Sequence, residues 1–344
     1  MNRSILCYTQ LLGQEKAKKM VRRSLAGGRI PHAYIFRGPD GIGRKLFARG
    51  LAAALNCRTG EASTACGECA SCRKYLSANH PDFLVVSPEK NGISIGRVRE
   101  LSRELTYPPY EAARRVVVLE DVHLMRREAA NSLLKTLEEP PENNLLILTA
   151  ESSREILPTL ISRCQVVPFF RLSEGETRLI LEQFGISGDE SYLYARFAEG
   201  SPGKALMLKQ TKLIELWREI IGHLSHQPRE TGMDLDVTLD LAEKMAALKD
   251  DLGELLIFLK MWLRDMLVRG QNTSLAGKGL GESLGNGQRV SKSWSSELVF
   301  AKLQAIEMAE KALARNCNRL LVCEIVLFRL LESGKTGVTL MPYS

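Results

Sequence analysis

No stretch of this 344-residue chain approaches the roughly 18 consecutive apolar residues that a membrane-spanning helix requires. Its most apolar runs, 145–149 and 255–263, are short or interrupted by Lys260. The first residues, MNRSILCYTQLLGQEKAKK, contain too short an apolar segment for a signal peptide and no small-residue cleavage site, so a cytoplasmic protein with no membrane association is expected. Internal repeats are lacking, and so is the composition of a disordered or fibrous chain: 44% of residues are hydrophobic, and 47 Lys+Arg stand against 40 Asp+Glu. At about 100–200 residues per domain the length implies two or three domains, each able to bury a core without disulfide help.

The formal charge of +7 is small for the length but unevenly placed. Residues 1–166 hold 25 Lys+Arg and 17 Asp+Glu, whereas 167–344 hold 22 and 23, so the basic surplus belongs to the first half. Basic residues over 16–23 and 97–103 are candidates to face a DNA backbone or acidic partners.

Of eight cysteines, Cys7, Cys164, Cys317 and Cys323 are scattered, while Cys57, Cys66, Cys69 and Cys72 crowd into sixteen residues. The spacing C-x8-C-x2-C-x2-C supplies four soft ligands within one excursion between a helix and the next strand. Four thiolates make a closed tetrahedral Zn²⁺ site with no position left for water, so the metal is expected to be structural. Unmetallated or redox-active thiols are the alternative.

From residue 33 to about 170, β-branched runs at 33–36, 83–86, 115–119, 145–149 and 165–168 alternate with helical patterns. The runs are mostly continuous and apolar, as in strands buried on both faces, which predicts a parallel sheet flanked by helices. In the helix predicted over 127–139, Ala130, Leu133, Leu134 and Leu137 share a face, and Pro140-Pro141 ends the pattern. Beyond Pro168 only helices are expected, over 174–184, 191–198, 204–225, 235–268 (with Gly253 a candidate break), 295–314 and 319–332. Residues 270–293, rich in Gly, Ser and Asn, read as a flexible loop between helices. The fold class is therefore α/β followed by all-α.

The first strand runs into Gly38-Pro39-Asp40-Gly41-Ile42-Gly43-Arg44-Lys45 and then a helical pattern. That is the context of a phosphate-binding loop, in which backbone N–H groups and a helix N-terminus cradle phosphates. The G-x-x-x-x-G-K-[ST] pattern is broken: Arg44 stands where lysine belongs, and Lys45 replaces the hydroxyl that ligates Mg²⁺. Shifting the register repairs neither position. Arg44 keeps a chemistry that can hold phosphate, but hydrolysis needs lysine, metal and base together, and a relic loop that serves packing is the preferred reading. The run 115–119 ends in Glu120-Asp121, acids at the Mg²⁺-holding position but in reversed order, and then His123, for which a local hydrogen-bonding role is expected.

Taken together, RIPHAYIF (29–36) before the loop, the four cysteines, ANSLLKTLEEPP (130–141) and Ser162-Arg163-Cys164 resemble the bacterial DNA polymerase III clamp-loader family. The resemblance covers about the first 170 residues, and GSPGKAL (200–206) is similar to the start of that family's sensor-2 region. It implies an AAA+ P-loop NTPase-like domain over 1–167 with a four-cysteine zinc module at 57–72, a small helical lid over 168–210 and a helical collar, the oligomerisation domain, over 211–344.

The family's ATP-hydrolysing motor subunits (gamma or tau) keep an intact loop and an Asp-Glu pair. This chain departs from them at Arg44, Lys45, Glu120 and Asp121. It also has Gly203 where the motor's Gly-Ser-x-Arg would supply an arginine. These departures, and a length without a long C-terminal extension, point to the delta prime type.

By that resemblance Arg163 is an arginine finger acting in trans on a neighbour's ATP, and Thr149 falls in the sensor-1 region. The implied partners are motor and delta subunits, the sliding clamp through the complex, and primed DNA. The implied cofactor is structural Zn²⁺, with ATP doubtful and no intrinsic ATPase. The competing readings are an active ATPase with a variant loop and a zinc-bearing nucleic-acid-binding module.

Overall fold

Each of the five apolar runs forms a strand: β1 (Ala33–Arg37), β2 (Phe83–Val86), β3 (Arg115–Leu119), β4 (Asn144–Ala150) and β5 (Gln165–Pro168). The structure is a computed structural model that describes residues 7–59, 64–89, 92–152, 156–226, 234–271, 280 and 294–332. All strand pairs are parallel, in the order β2-β3-β4-β1-β5. This is the parallel sheet expected of the first half of the sequence.

Successive strand residues point to opposite faces, and both faces are covered. Tyr34, Phe36, Val116, Val118, Leu145 and Ile147 enter a core with helices α1 (Glu15–Ala26), α2 (Arg44–Leu55) and α3 (Ala70–Leu76). Ala33, Ile35, Val117, Leu119, Leu146 and Leu148 enter a second core with α4 (Ile95–Leu105), α5 (Arg127–Glu138) and the short α6 (Pro158–Ile161). Covering both faces is what makes the strands read as uninterrupted apolar runs. The carboxyl ends of β1, β3 and β4 then lie side by side, and the loops that follow them carry the residues of interest.

The chain divides into two compact units, Met1–Leu206 and Met207–Ser344. The first also holds α7 (Glu174–Gln183) and α8 (Gly188–Phe197), which pack on each other, and the start of α9 (Pro202–Gln210). The second is helical among the described residues: α10 (Leu213–His226), α11 (Leu235–Ala247), α12 (Leu252–Gln271), α13 (Ser296–Ala314) and α14 (Arg319–Leu331). Within it Lys302 is buried. Its Nζ donates to the carbonyls of Arg329, Leu330 and Glu332 at the end of α14 and lies 4.3 Å from the Trp294 ring centroid, joining α13 to α14.

Two expected helices are each two. The helix expected over 204–225 breaks at Thr211, whose hydroxyl donates to the Leu208 carbonyl and accepts from the Leu213 N–H, a local bond that competes with the helix ladder. The segment expected over 235–268 breaks at Lys249, where the backbone is left-handed (φ 53°) and a 3-10 turn over Lys249–Asp251 follows; Gly253 lies inside α12. The loop expected over 270–293 falls, apart from residues 270, 271 and 280, outside the described residues. Among the described residues no helix is long and apolar enough to cross a membrane.

Candidate functional site

At the end of β1 the chain turns through residues 38–43 into α2, whose N-cap is Gly43 at φ 96°, a backbone conformation that favours glycine. The loop therefore has the shape of a phosphate cradle, but both of its cations are taken up by acids. Arg44 is 3% exposed, and its Nη2 reaches Asp40 Oδ1 at 3.2 Å and Asp121 Oδ1 at 3.4 Å. Lys45 Nζ lies 2.8 Å from Glu120 Oε2, which also accepts from Ser87 Oγ at 2.7 Å. The two acids at the Mg²⁺-holding position are thus neutralised by the two residues that displaced lysine and hydroxyl. A divalent cation there would compete with ammonium and guanidinium already at its ligands, so the residues present do not fit Mg²⁺. Arg44 Nη1 is buried with no partner among the described residues.

The tip of the loop is covered from the other side. Gly203 N–H donates to the Gly41 carbonyl at 2.8 Å, and Ser201 Oγ donates to the Asp40 carbonyl at 2.8 Å. The backbones approach so closely that a Cβ on Gly203 would lie 2.6 Å from Gly41 Cα, and one on Gly41 would collide with Ser201 Oγ. An arginine at position 203 does not fit this packing. Thr149 is fully buried, and its hydroxyl accepts from the Asp121 N–H at 2.9 Å, holding Asp121 in its left-handed conformation (φ 49°). His123 differs from expectation: its Nδ1 is buried and finds no partner among the described residues.

The four cysteines come together. Their sulfurs all lie within 4.8 Å of one another, and Cys66 Sγ is 3.9 Å from Cys72 Sγ. A tetrahedral ion with metal–sulfur bonds of about 2.3 Å separates its sulfurs by about 3.8 Å, so the cluster fits such an ion. Cys69 caps α3, its sulfur accepting from the Cys72 N–H. The Cys66 thiol is pulled down to about 6 by the Thr59 side chain and by the Cys69 and Glu68 N–H groups, whereas burial pushes the Cys72 thiol well up. The four Cys can bind a metal.

Arg163 lies between α6 and β5, the edge strand of the sheet, with 35% of its side chain exposed. Its Nη2 lies 2.6 Å from Glu138 Oε1, and its Nη1 donates to the Thr159 carbonyl and Ser162 Oγ, both at 3.2 Å.

Reading the sequence did not find Asp40, Ser87, Glu138 or Ser201 as partners of these residues. For Ser87 a signal existed, since Val86 pairs with Leu119, which sets Ser87 opposite Glu120, but strand order had to be known. Asp82 was also missed. It is fully buried, accepts from the Tyr110, Glu111 and Ala112 N–H groups at 2.6–2.9 Å and lies 3.5 Å from Arg115, fixing the loop between α4 and β3.

A family model described as DNA polymerase III, delta subunit matches residues 13–173. The chain is 40% identical over 145 residues to DNA polymerase III subunit delta' of Pseudomonas aeruginosa (41% of this chain, 44% of the relative). It is 35% identical over 156 residues to the Bacillus subtilis delta' (45% and 47%) and 34% identical over 209 residues to the Escherichia coli tau subunit (58% and 32%). It therefore spans less than half the length of each of these three relatives. Among solved structures, a gamma subunit-related protein of Thermotoga maritima is similar at 19% identity and TM-score 0.47, covering 93% of this chain and 99% of that one.

Proposed function

We propose that the chain, which is similar over its first half to DNA polymerase III clamp-loader subunits, is a delta prime-type, non-hydrolysing stator that completes a neighbouring motor subunit's ATP site in trans. The observation that carries this reading is where the cations are held. Arg44 and Lys45 are paired to Asp121, Asp40 and Glu120 around the phosphate loop itself, whereas Arg163, paired to Glu138 and 35% exposed, lies away from the loop just before the edge strand β5. Lys45 is matched to the buried Glu120, and Arg44 is itself buried against Asp40 and Asp121, so neither can turn to a phosphate in this loop without breaking its pair. A guanidinium presented at the edge can enter a partner's site, where it meets charge developing on the phosphoryl oxygens.

In this reading the four thiolates of Cys57, Cys66, Cys69 and Cys72 hold one structural Zn²⁺. Residues 1–167 form the AAA+ domain, 168–210 the lid and 211–344 the collar through which the chain assembles with motor and delta subunits. The complex works in the cytoplasm, placing the sliding clamp on primed DNA as part of the DNA polymerase III holoenzyme.

Reconstitution tests it. Adding the chain to motor and delta subunits should raise ATP turnover, and Arg163→Ala should remove that increment while assembly, followed by gel filtration, is unchanged. An undiminished increment would refute the role. Arg44 Nη1, buried and unpartnered among the described residues, favours a second reading in which the loop still holds a phosphate. ATP titration of the isolated chain separates the two: the stator reading expects no binding at millimolar nucleotide.

A further inference from the structure

Arg163 is a long side chain leaving the end of a four-residue helix, α6, and a free arginine there would sample many rotamers. Its guanidinium is instead tied at both Nη atoms. The contacts to the Thr159 carbonyl and Ser162 Oγ come from its own turn, where Ser162 Oγ itself donates to the Thr159 carbonyl at 3.1 Å. The contact to Glu138 Oε1, at 2.6 Å, comes from a different element.

Glu138 is the last residue of α5, a helix anchored in the core through Ala130, Leu133 and Leu137 and ended by Pro140-Pro141. Its carboxylate therefore refers the guanidinium to the rigid body of the domain, while the other two contacts refer it only to the local turn. The pair is half exposed, 35% and 49%, a setting in which ion pairs add little to stability. What it does select is one direction for the arginine. These contacts leave the Nε hydrogen and the second Nη2 hydrogen for an incoming phosphate oxygen.

We propose that Glu138 is the positioning residue for Arg163, holding its guanidinium in the orientation in which it enters the neighbouring ATP site. The inference rests on the reading of Arg163 as the residue that completes that site. Glu138 acts through Arg163 alone.

The test uses the reconstituted complex and reads the ATPase increment that this chain adds to the motor, for Glu138→Ala, Glu138→Gln, Arg163→Ala and the Arg163→Ala/Glu138→Ala double variant. Loss of orientation should cut the increment in Glu138→Ala by about threefold to tenfold through kcat, with KM for ATP, assembly and melting temperature unchanged. Glu138→Gln, which keeps an acceptor, should retain more of it. The double variant should match Arg163→Ala, because Glu138 has nothing to position once the guanidinium is gone. A full or enhanced increment in Glu138→Ala, with Arg163→Ala still defective, overturns the positioning role. Additive losses in the double variant overturn it as well, and a full increment in Arg163→Ala refutes the reading of Arg163 itself.

Discussion

Arg44 and Arg163 are arginines of the same α/β unit, 3% and 35% exposed respectively, and each pairs with a carboxylate. Around Arg44 the acids are Asp40 of the loop itself and Asp121 after β3, and the loop tip is sealed by Ser201 and Gly203. Around Arg163 the acid comes from one helix end, the other acceptors are neutral, and a third of the side chain meets solvent. In the proposed reading the first arrangement consumes a cation and the second presents one. The basic surplus of the first half of the sequence is therefore no simple measure of a nucleic-acid surface, since part of it is paired to acids within the fold.

The contrast can be broken most sharply by removing the presented cation. Arg163→Ala should lower single-turnover hydrolysis at the site it completes by about 10³-fold or more, with the chain's own stability unaltered. Next comes the cysteine module, whose four thiols converge on one another. Protein purified without chelator should contain about one zinc per chain, and Cys72→Ser or strong chelation should cost at least about 3 kcal/mol in denaturant melts. A metal-free protein with an unchanged melt would remove zinc from the account.

Asp82 sharpens the comparison from the side of buried acids. Desolvation opposes its charge, but the N–H groups of Glu111, Tyr110 and Ala112 and the Arg115 guanidinium prevail and hold its carboxyl below the usual range. A carboxyl with a folded pKa below its unfolded value adds stability above the unfolded pKa and loses it as pH falls through the folded one. The protein should thus shed stability below about pH 4, and Asp82→Asn should cost about 3 kcal/mol at neutral pH and flatten that acid limb. The smallest effect is expected at the phosphate loop. Asp121→Ala leaves Arg44 with Asp40 alone and should cost about 1–2 kcal/mol, read in the same melts.

What the sequence made legible follows from what each feature depends on. The strands could be read because burial on both faces leaves a run such as Val116-Val117-Val118-Leu119 wholly apolar, and the cysteine cluster because its ligands are close in the chain. The breaks at Thr211 and Lys249 could not, because apolar periodicity continues across both and the left-handed turn at Lys249 carries no glycine. The broken loop was visible as a defect, but its meaning was not. Arg44 meets Asp121 across 77 residues, and only the parallel order that sets the ends of β1, β3 and β4 side by side brings them together. Glu138 was part of the resemblance motif and still unreadable as a partner of Arg163, since that pairing depends on how α5 ends beside α6.

The central claim is that this chain spends Arg44 and Lys45 on itself and Arg163 on a neighbour. Steady-state ATP turnover by the reconstituted complex, comparing Arg163→Ala with Lys45→Met in this chain, tests it most directly. The increment should vanish for Arg163→Ala and persist for Lys45→Met. Persistence in Arg163→Ala with loss in Lys45→Met would contradict the account.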